Sequence, residues 1–235
     1  MILIGVITHK SKSYCDKEFI NSLKELRGPN TDIVVIDNSE DDYSDVYIKE
    51  GFKVFNLRKK SRLADTLASC SEFIRHYAID NDYEYLFMLE SDVIIEKEDL
   101  DLMLCLQAPV CAMTYLIGVG ENSNICLQAS TIKNKHLYSK IITEDMGFEL
   151  FKGKVTHSKD ILLGPDTFLS HSGLGCTLIH SSVLKRVNFR SDSKHDSRTK
   201  KQSFCDTFFY FDLLKKNIDF YFYPKLATHL NMQHI

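Results

Sequence analysis

Two carboxylates follow an apolar run in the segment YEYLFMLESDVII, residues 83–95. Five apolar or aromatic residues precede Glu90-Ser91-Asp92, and three more apolar residues come directly after it. Such a run is typical of a buried parallel strand, and charges at its end are costly to bury without a partner. Because two carboxylates on one turn can hold a hard divalent cation, Glu90 and Asp92 are candidate ligands. The alternative is that Glu90 caps the strand and Asp92 faces solvent.

Alternating strand and helix patterns surround this turn between residues 1 and 116. Strands are predicted in ILIGVIT, TDIVVID, FKVFNL, residues 84–90 and PVCAMTYL, helices in DKEFINSLKELRG, residues 62–79 and EKEDLDLML, and a loop in NSEDDYSD. This alternation predicts an α/β fold with a mostly parallel, doubly wound sheet and helices on both faces. We interpret residues 119–163, with their short strand patterns, as an antiparallel insertion within one domain spanning 1–235.

Polar residues end several of the predicted strands. Thr8 ends the first, Asp37 and Asn38 end the second, and Glu90 to Asp92 end the fourth. Ligands of doubly wound sheets bind at the carboxyl ends of the strands, so these groups are expected to meet at one edge. Asp37 is a candidate acceptor for a base or ribose, and an Asx turn is the equal alternative.

Two basic runs have similar open interpretations. RKKSR, residues 58–62, is either a solvated patch or faces a diphosphate at the same sheet edge. The run from Lys185 to Lys201 contains seven Lys or Arg against two Asp. It is either a solvated loop or a segment that closes over the donor or grips an anionic acceptor.

Composition excludes several classes of protein. The formal net charge of −3 gives no general attraction to nucleic acid or anionic membranes. Seven cysteines lack any C-x-x-C pair, which favours reduced packing residues, no structural zinc and a cytoplasmic location. No apolar run approaches the roughly 20 residues of a membrane span, and the apolar N-terminus is too short for a signal sequence.

The order and spacing of several motifs resemble those of nucleotide-sugar glycosyltransferases of the GT-A fold. The motifs are VVIDNS, KKSRLADT, FMLESDV, SGLGCTLIHSSVLKRVNF, FCDTFFYFDLLKKNI and the histidine of YPKLATHL. The resemblance covers residues 2–116 and 161–230. It implies metal-dependent transfer of a sugar from a nucleoside diphosphate, with UDP-sugars and inversion favoured. The acceptor would be a hydroxyl of a glycan, a lipid-linked sugar or a modified nucleic acid.

The resemblance also implies roles for individual residues and two halves of the domain. Residues 1–116 would hold the nucleotide and residues 117–235 the acceptor. Asp92 and His229 would bind Mn²⁺ or Mg²⁺, and Asp206 would be the catalytic base. The glycines would let the two sugars approach closely. The implied donor-binding residues are Thr8, Asp37, Asn38, Arg62, Asp65, Glu90, Ser91, Gly173 and Gly175. The sequence departs from the family pattern at two positions: Glu90 replaces the commoner first Asp, and Asp65 stands where many relatives have Asn.

Two rival functions and one rival residue role remain. A sugar-phosphate nucleotidyltransferase normally has a glycine-rich loop after its first strand, whereas ITHKSKSY contains no glycine. A catalytically inactive sugar- or nucleotide-binding module would keep the core and bind metal poorly. Asp206 lies in the first turn of a helix whose predicted buried stripe includes Phe208, Phe211 and Leu214, so it is either a base or a helix cap. Asp166 is the alternative base.

Overall fold

A computed structural model describes residues 1–119, 124–127, 129–132, 140–141, 154–156, 160–162, 168–191 and 204–230. Asp166 and the basic run beyond residue 191 lie outside the described residues, so their predicted roles are not addressed by the structure. The six described cysteines whose side chains are placed are free thiols. Within the described part of the chain, no helix is both long enough and apolar enough to span a bilayer.

Between residues 1 and 116 the predicted strands and helices occur in the predicted order, with one short α-helix and one short strand in addition. The strands are Ile2–Thr8 (β1), Thr31–Asp37 (β2), Lys53–Asn56 (β3), Tyr85–Glu90 (β4), Val93–Ile94 (β5), Val110–Val119 (β6), Asn124–Leu127 (β7), Ala129–Ile132 (β8), Lys140–Ile141 (β9), Lys154–Thr156 (β10), Asp160–Leu162 (β11), Phe168–Ser172 (β12), Cys176–His180 (β13) and Tyr221–His229 (β14). The α-helices are Asp16–Glu25 (α1), Asp45–Lys49 (α2), Leu63–Asp80 (α3), Lys97–Cys105 (α4), Ser181–Leu184 (α5) and Cys205–Lys215 (α6). Two 3₁₀ helices cover Lys10–Cys15 and Asp42–Ser44.

The central sheet has the strand order β3-β2-β1-β4-β13-β6-β14-β5. Strand β1 is parallel to β2 and β4, β2 is parallel to β3, and β6 is parallel to β14. Strand β13 runs antiparallel between β4 and β6. The prediction of a mostly parallel sheet is therefore confirmed, with β13 and the short edge strand β5 as its antiparallel members.

Helices cover both faces of this sheet, as predicted. On one face, Phe19 of α1 packs in a core with Val6 and Phe87. On the other, Ile74 of α3 packs in a second core with Leu86. Alternate residues of β1 and β4 enter the two cores, which explains why these strands are continuously apolar.

The insertion between β6 and β12 is largely antiparallel, as predicted, in the parts that are described. Strand β7 pairs antiparallel with β6, β8 with β12, and β10 with β11. Strand β9 is the exception, because it pairs parallel with β14.

The predicted buried face of α6 was wrong. Phe211 is 58% exposed, and the buried residues are Cys205, Phe209, Tyr210 and Leu213. Most residues of this helix are apolar, so hydrophobic periodicity could not select a face. For α3 the apolar spacing predicts a stripe of Leu63, Leu67, Cys70, Ile74 and Tyr77. This prediction was wrong at its first residue, because Leu63 is exposed and Ala64 is buried instead.

The predicted loop NSEDDYSD contains helical structure. It includes the 3₁₀ helix Asp42–Ser44 and the first residue of α2. Tyr47, the fully buried residue of α2, anchors this segment to the core. The acidic residues that suggested a loop instead precede or open the helix, where its dipole favours negative charge.

Candidate active site

A cavity of about 490 Å³ lies at the carboxyl edge of the parallel strands. Residues from β1, the turn after β4, the turn before β13 and the start of α6 are among those that line it. The register explains the convergence: Thr8 pairs with Asp37, and Ile7 pairs with Glu90. The predicted site residues that line the cavity are Thr8, Asn38, Glu90, Ser91, Asp92, Gly175 and Asp206.

Glu90, Asp92 and His229 form a cluster at this edge. Each offers a ligand atom, and these atoms lie within 4.8 Å of one another. Strand β14 brings the histidine there, because His229 pairs with Val93 and the Leu230 N–H donates to the Asp92 carbonyl at 2.8 Å. Residues distant in sequence thus meet because β14 pairs with the short strand that follows the acidic turn.

Asp92 is completely buried and has three donors on one oxygen. Its Oδ2 forms an ion pair with Lys12 Nζ, accepts a hydrogen bond from Tyr14 Oη at 2.9 Å, and lies 3.2 Å from His229 Nε2. Burial alone would raise the pKa of Asp92, but the histidine and the ammonium outweigh burial and hold that pKa well below its ordinary value. Asp92 is therefore a carboxylate at neutral pH.

Two ligand-type atoms of the cluster are buried without a partner. Asp92 Oδ1 and His229 Nδ1 have no hydrogen-bond partner among the described residues, and the same holds for Ser91 Oγ. With Nε2 facing Asp92, the lone pair of an imidazole in the matching tautomer lies on Nδ1. Buried polar atoms normally have partners, so these atoms indicate a position where a ligand can bind. Carboxylate oxygen and imidazole nitrogen fit a divalent cation such as Mn²⁺.

Glu90 sits beside this pair in a partly desolvated position. Burial and the charge of Asp92 raise its pKa. Tyr115 Oη donates to Glu90 Oε2 at 3.1 Å, and the Tyr115 ring stacks on His229 with centroids 5.5 Å apart and planes 8° apart. Tyr115 therefore supports both a carboxylate and the imidazole of the cluster.

Gly175 lacks a side chain because these residues occupy the space. A Cβ there would lie 2.5 Å from Tyr115 Oη and 2.6 Å from the Glu90 carboxyl carbon. The predicted reason was close approach of two sugars, whereas the structure shows close approach of the cluster itself. Gly173 is buried nearby and its carbonyl accepts from Thr177 Oγ1 at 3.3 Å, but it is not among the described cavity-lining residues.

Thr8 at the end of β1 and Asn38 just after β2 line the cavity, whereas Asp37 at the end of β2 forms an Asx turn. Asp37 Oδ1 accepts from the Ser39 N–H at 2.9 Å, which is the alternative interpretation of this residue, and Asp37 is not among the described residues lining the cavity. Thr8 Oγ1 lies 3.4 Å from Tyr47 Oη. Thr8 and Asn38 do line the cavity, so the predicted nucleotide contacts at these two positions stay open predictions.

Arg62 and Asp65 are not brought to the cavity. Arg62 donates to both oxygens of Asp65 at 2.6 Å, and Ser191 Oγ donates to Asp65 Oδ1 at 2.5 Å. The Arg62 guanidinium and the serine lower the pKa of Asp65 to about 2. The structure therefore pairs these residues with each other and gives no geometric support for a donor contact.

Asp206 lines the cavity from the first turn of α6. Its Oδ1 accepts from the Thr207 N–H at 2.6 Å, one of the N–H groups that a helix start leaves without an intrahelical acceptor. This contact fits a helix-terminal role, and the position on the cavity fits a base. Both interpretations of Asp206 remain.

Sequence reasoning missed three residues of the site: Lys12, Tyr14 and Tyr115. Lys12 and Tyr14 belong to ITHKSKSY, a segment whose lack of glycine argues against a nucleotidyltransferase. Their signal was position, since this segment follows β1 at the ligand edge. Tyr115 carried no signal, because a tyrosine in an apolar strand looks like core.

Solved structures show where else this fold occurs. S. aureus TarS 1–349 superimposes with a TM-score of 0.54 at 16% sequence identity, covering 96% of this chain and 59% of TarS 1–349. Its complex with UDP-GlcNAc superimposes with a TM-score of 0.55 at 14% identity, covering 98% of this chain and 60% of that chain. Its complex with UDP superimposes with a TM-score of 0.54 at 15% identity, covering 96% of this chain and 59% of that chain. The chain thus spans about three fifths of the length of these structures. No family model matches the sequence, and no curated protein matches it.

Proposed function

Because the chain has the GT-A fold of nucleotide-sugar glycosyltransferases, we propose that it transfers a sugar from a nucleoside diphosphate to a hydroxyl acceptor with a divalent cation and with inversion. One observation carries the proposal. Asp92 Oδ1 and His229 Nδ1 are buried without partners among the described residues, within a three-residue cluster at the carboxyl edge of the parallel strands. In a sheet of this type, that edge is where ligands bind.

The cluster supplies the ligands for the cation. Asp92 gives a carboxylate that stays ionised, and His229 gives an imidazole nitrogen that suits Mn²⁺ better than Mg²⁺. Glu90 adds a second carboxylate, held by Tyr115. When bound, such a cation acts as a Lewis acid that neutralises the departing diphosphate.

Asp206 is the base of the proposal. It lines the same cavity, and in an inverting reaction it would take the proton of the acceptor hydroxyl as that oxygen attacks the sugar. The half spanning residues 1–116 would hold the donor, and the half spanning 117–235 would supply acceptor contacts and Asp206.

Uridine donors are the first to test. TarS has been crystallised with UDP-GlcNAc and with UDP, which supports, through the shared fold, starting from UDP-sugars. Thr8 and Asn38 are the residues of β1 and its neighbour that can contact the nucleotide from the cavity wall.

The test is slow donor hydrolysis across a panel of UDP-, GDP- and dTDP-sugars, with Mn²⁺ or with excess chelator. We expect nucleoside diphosphate release from one donor class, dependent on Mn²⁺ and lost in Asp92→Asn. Release that is equal in chelator would contradict metal dependence. Pyrophosphate release from a nucleoside triphosphate and a sugar phosphate would instead identify a nucleotidyltransferase, and binding without turnover an inactive module.

A further inference from the structure

The segment after β1 brings a cation into the metal cluster. Lys12 lies in the 3₁₀ helix Lys10–Cys15, and its Nζ forms an ion pair with Asp92 Oδ2. Asp92 is completely buried, whereas the Lys12 side chain is 36% exposed. The pair therefore joins the cluster to the solvent side of the site.

This segment is fixed against the acidic turn. Tyr14 Oη donates to Asp92 Oδ2 at 2.9 Å, and Cys15 Sγ donates to the Ser91 carbonyl at 3.2 Å. Two residues that closely follow Lys12 thus hold its segment against the acidic turn. The ammonium can move while the backbone stays in place, because a lysine carries a compact charge on a flexible four-carbon stem.

Lys12 has a second direction available. It lines the cavity beside Ser91 and Asp92, so rotation of its side chain can turn the ammonium from Asp92 toward a ligand in the cavity. A diphosphate is the ligand class that matches a lysine charge at this place.

We propose that Lys12 is a built-in counter-ion, which a divalent cation displaces from Asp92 and which then binds the diphosphate of the donor. The inference rests on the proposed function, because it assigns a role toward that cation and that nucleotide. A divalent cation arriving alone meets Lys12, and like charges at a partly buried position repel strongly. A diphosphate offers Lys12 a new partner, so cation and nucleotide bind cooperatively.

Lys12→Met tests this role, because methionine keeps an unbranched stem and removes the charge. Mn²⁺ binding is measured by the electron paramagnetic resonance signal of free Mn²⁺, with and without UDP, and UDP binding by calorimetry without metal. We expect Mn²⁺ alone to bind about tenfold more tightly and UDP alone about tenfold more weakly. The factor by which each strengthens the other, typically about 5–150-fold in coupled sites, should fall toward one.

Two variants serve as controls. Lys12→Arg keeps the positive charge and should leave Mn²⁺ binding without UDP as weak as in the parent. Lys10→Met lies on the same 3₁₀ helix and removes an exposed ion pair with Asp41, and Lys10 is not among the described cavity-lining residues. It should change neither constant. Thermal melting checks that each variant folds, and Lys12→Gln replaces Lys12→Met if the latter does not.

The opposite signs of the two changes decide the outcome. Weaker binding of both Mn²⁺ and UDP would show that Lys12 only supports the segment, and unchanged Mn²⁺ binding would show that it does not compete for Asp92. Either result overturns the inference and leaves the proposed function standing. A parent protein that binds neither Mn²⁺ nor UDP overturns both.

Discussion

The ion pairs Arg62–Asp65 and Lys12–Asp92 differ in whether their carboxylate has an oxygen left without a hydrogen-bond partner among the described residues. Asp65 is partly exposed, and Arg62 and Ser191 occupy both of its oxygens. Asp92 is completely buried, and its Oδ1 has no partner among the described residues. A carboxylate whose acceptor capacity is used by its neighbours has little left for a ligand. We therefore expect the Arg62–Asp65 pair to stabilise local structure and the Lys12–Asp92 pair to leave one carboxylate oxygen for a ligand.

Asp206 lies between these extremes. One of its oxygens accepts from a helix N–H, yet the residue lines the cavity. The three carboxylates should therefore differ in how strongly their loss affects function. Substituting each with its amide keeps the shape and tests that difference.

The largest effect is expected for Asp92→Asn. The amide offers a weaker neutral ligand in place of the charge that holds the cation, and a Lewis acid supplies several kcal/mol to such a reaction, so transfer should fall at least about a thousandfold. Mn²⁺ titration should lose its high-affinity phase. Lys12 keeps access to solvent, so circular dichroism should still show a folded chain.

Unchanged Mn²⁺ binding in Asp92→Asn would show that the metal binds elsewhere. It would also show that Asp92, like Asp65, does not bind a ligand. His229→Ala provides the matching measurement on the second ligand. It should weaken Mn²⁺ binding more than Mg²⁺ binding, because imidazole favours Mn²⁺.

Asp206→Asn should have the next largest effect. Asn caps a helix about as well as Asp, so a purely structural Asp206 would tolerate the change. A base would not, since the amide cannot accept the proton, and loss of such a group costs about 10²–10⁴ in rate. We expect normal binding of donor and Mn²⁺ with at least a roughly hundredfold slower transfer. Transfer within a few-fold of the parent would place Asp206 with Asp65 among the structural carboxylates.

Gly175→Ala tests whether the cluster depends on its packing. The added Cβ would meet Tyr115 and Glu90 at 2.5–2.6 Å, so one of them must move. Overpacking of this kind lowers the free energy of unfolding by about 1–3 kcal/mol. Denaturant titration of Gly175→Ala measures this loss. Mn²⁺ affinity should fall with it, because Tyr115 also stacks on His229.

Gly28→Ala is the matched control for that change. Its Cβ would meet nothing closer than Thr31 Oγ1 at 3.5 Å, an ordinary contact. Equal destabilisation by the two substitutions would mean that the loss at Gly175 reflects the backbone and not the cluster.

The elements were predictable where their signals are local. Strands β1, β2 and β4 begin and end within a residue or two of their predicted limits, because continuous apolar runs bounded by polar residues define them. The face of α6 was not predictable, because Phe208 and Phe211 are as apolar as the buried Phe209. The tertiary contacts of α6 select the face, and they include Ser71 of α3 as well as Phe222 of β14.

The site divides in the same way. Asp92 and Glu90 could be found because charges at a buried strand end are unusual, and the resemblance added His229. Lys12 carried only the signal of its position after β1, since a lysine in a polar loop has no periodic signature and its partner is fixed by tertiary structure. The resemblance implies that Arg62 and Asp65 bind the donor, although their i, i+3 spacing already fits an ion pair on one helix turn.

The smallest effect is expected for Asp65→Asn, which removes the charge from the pair that is already satisfied. Donor hydrolysis and Mn²⁺ binding should match the parent, because Asp65 does not reach the cavity. Stability should change little, since exposed ion pairs contribute little and salt screens them. A loss of activity comparable to that of Asp206→Asn would return Asp65 to the donor site.

The pH dependence of this small effect has a defined sign. The pKa of Asp65 is lowered from 3.8 to about 2 by Arg62 and Ser191, so its ionised form is favoured in the folded chain. A depressed pKa stabilises the fold above the unfolded value and loses that contribution as pH falls through the folded value. Any difference in melting temperature between parent and Asp65→Asn should therefore be constant at about neutral pH, shrink below 3.8 and vanish near 2. The corresponding difference for Asp92→Asn should persist further into high salt, because Asp92 and its partner His229 are buried, and salt screens buried charges less than the exposed Arg62–Asp65 pair.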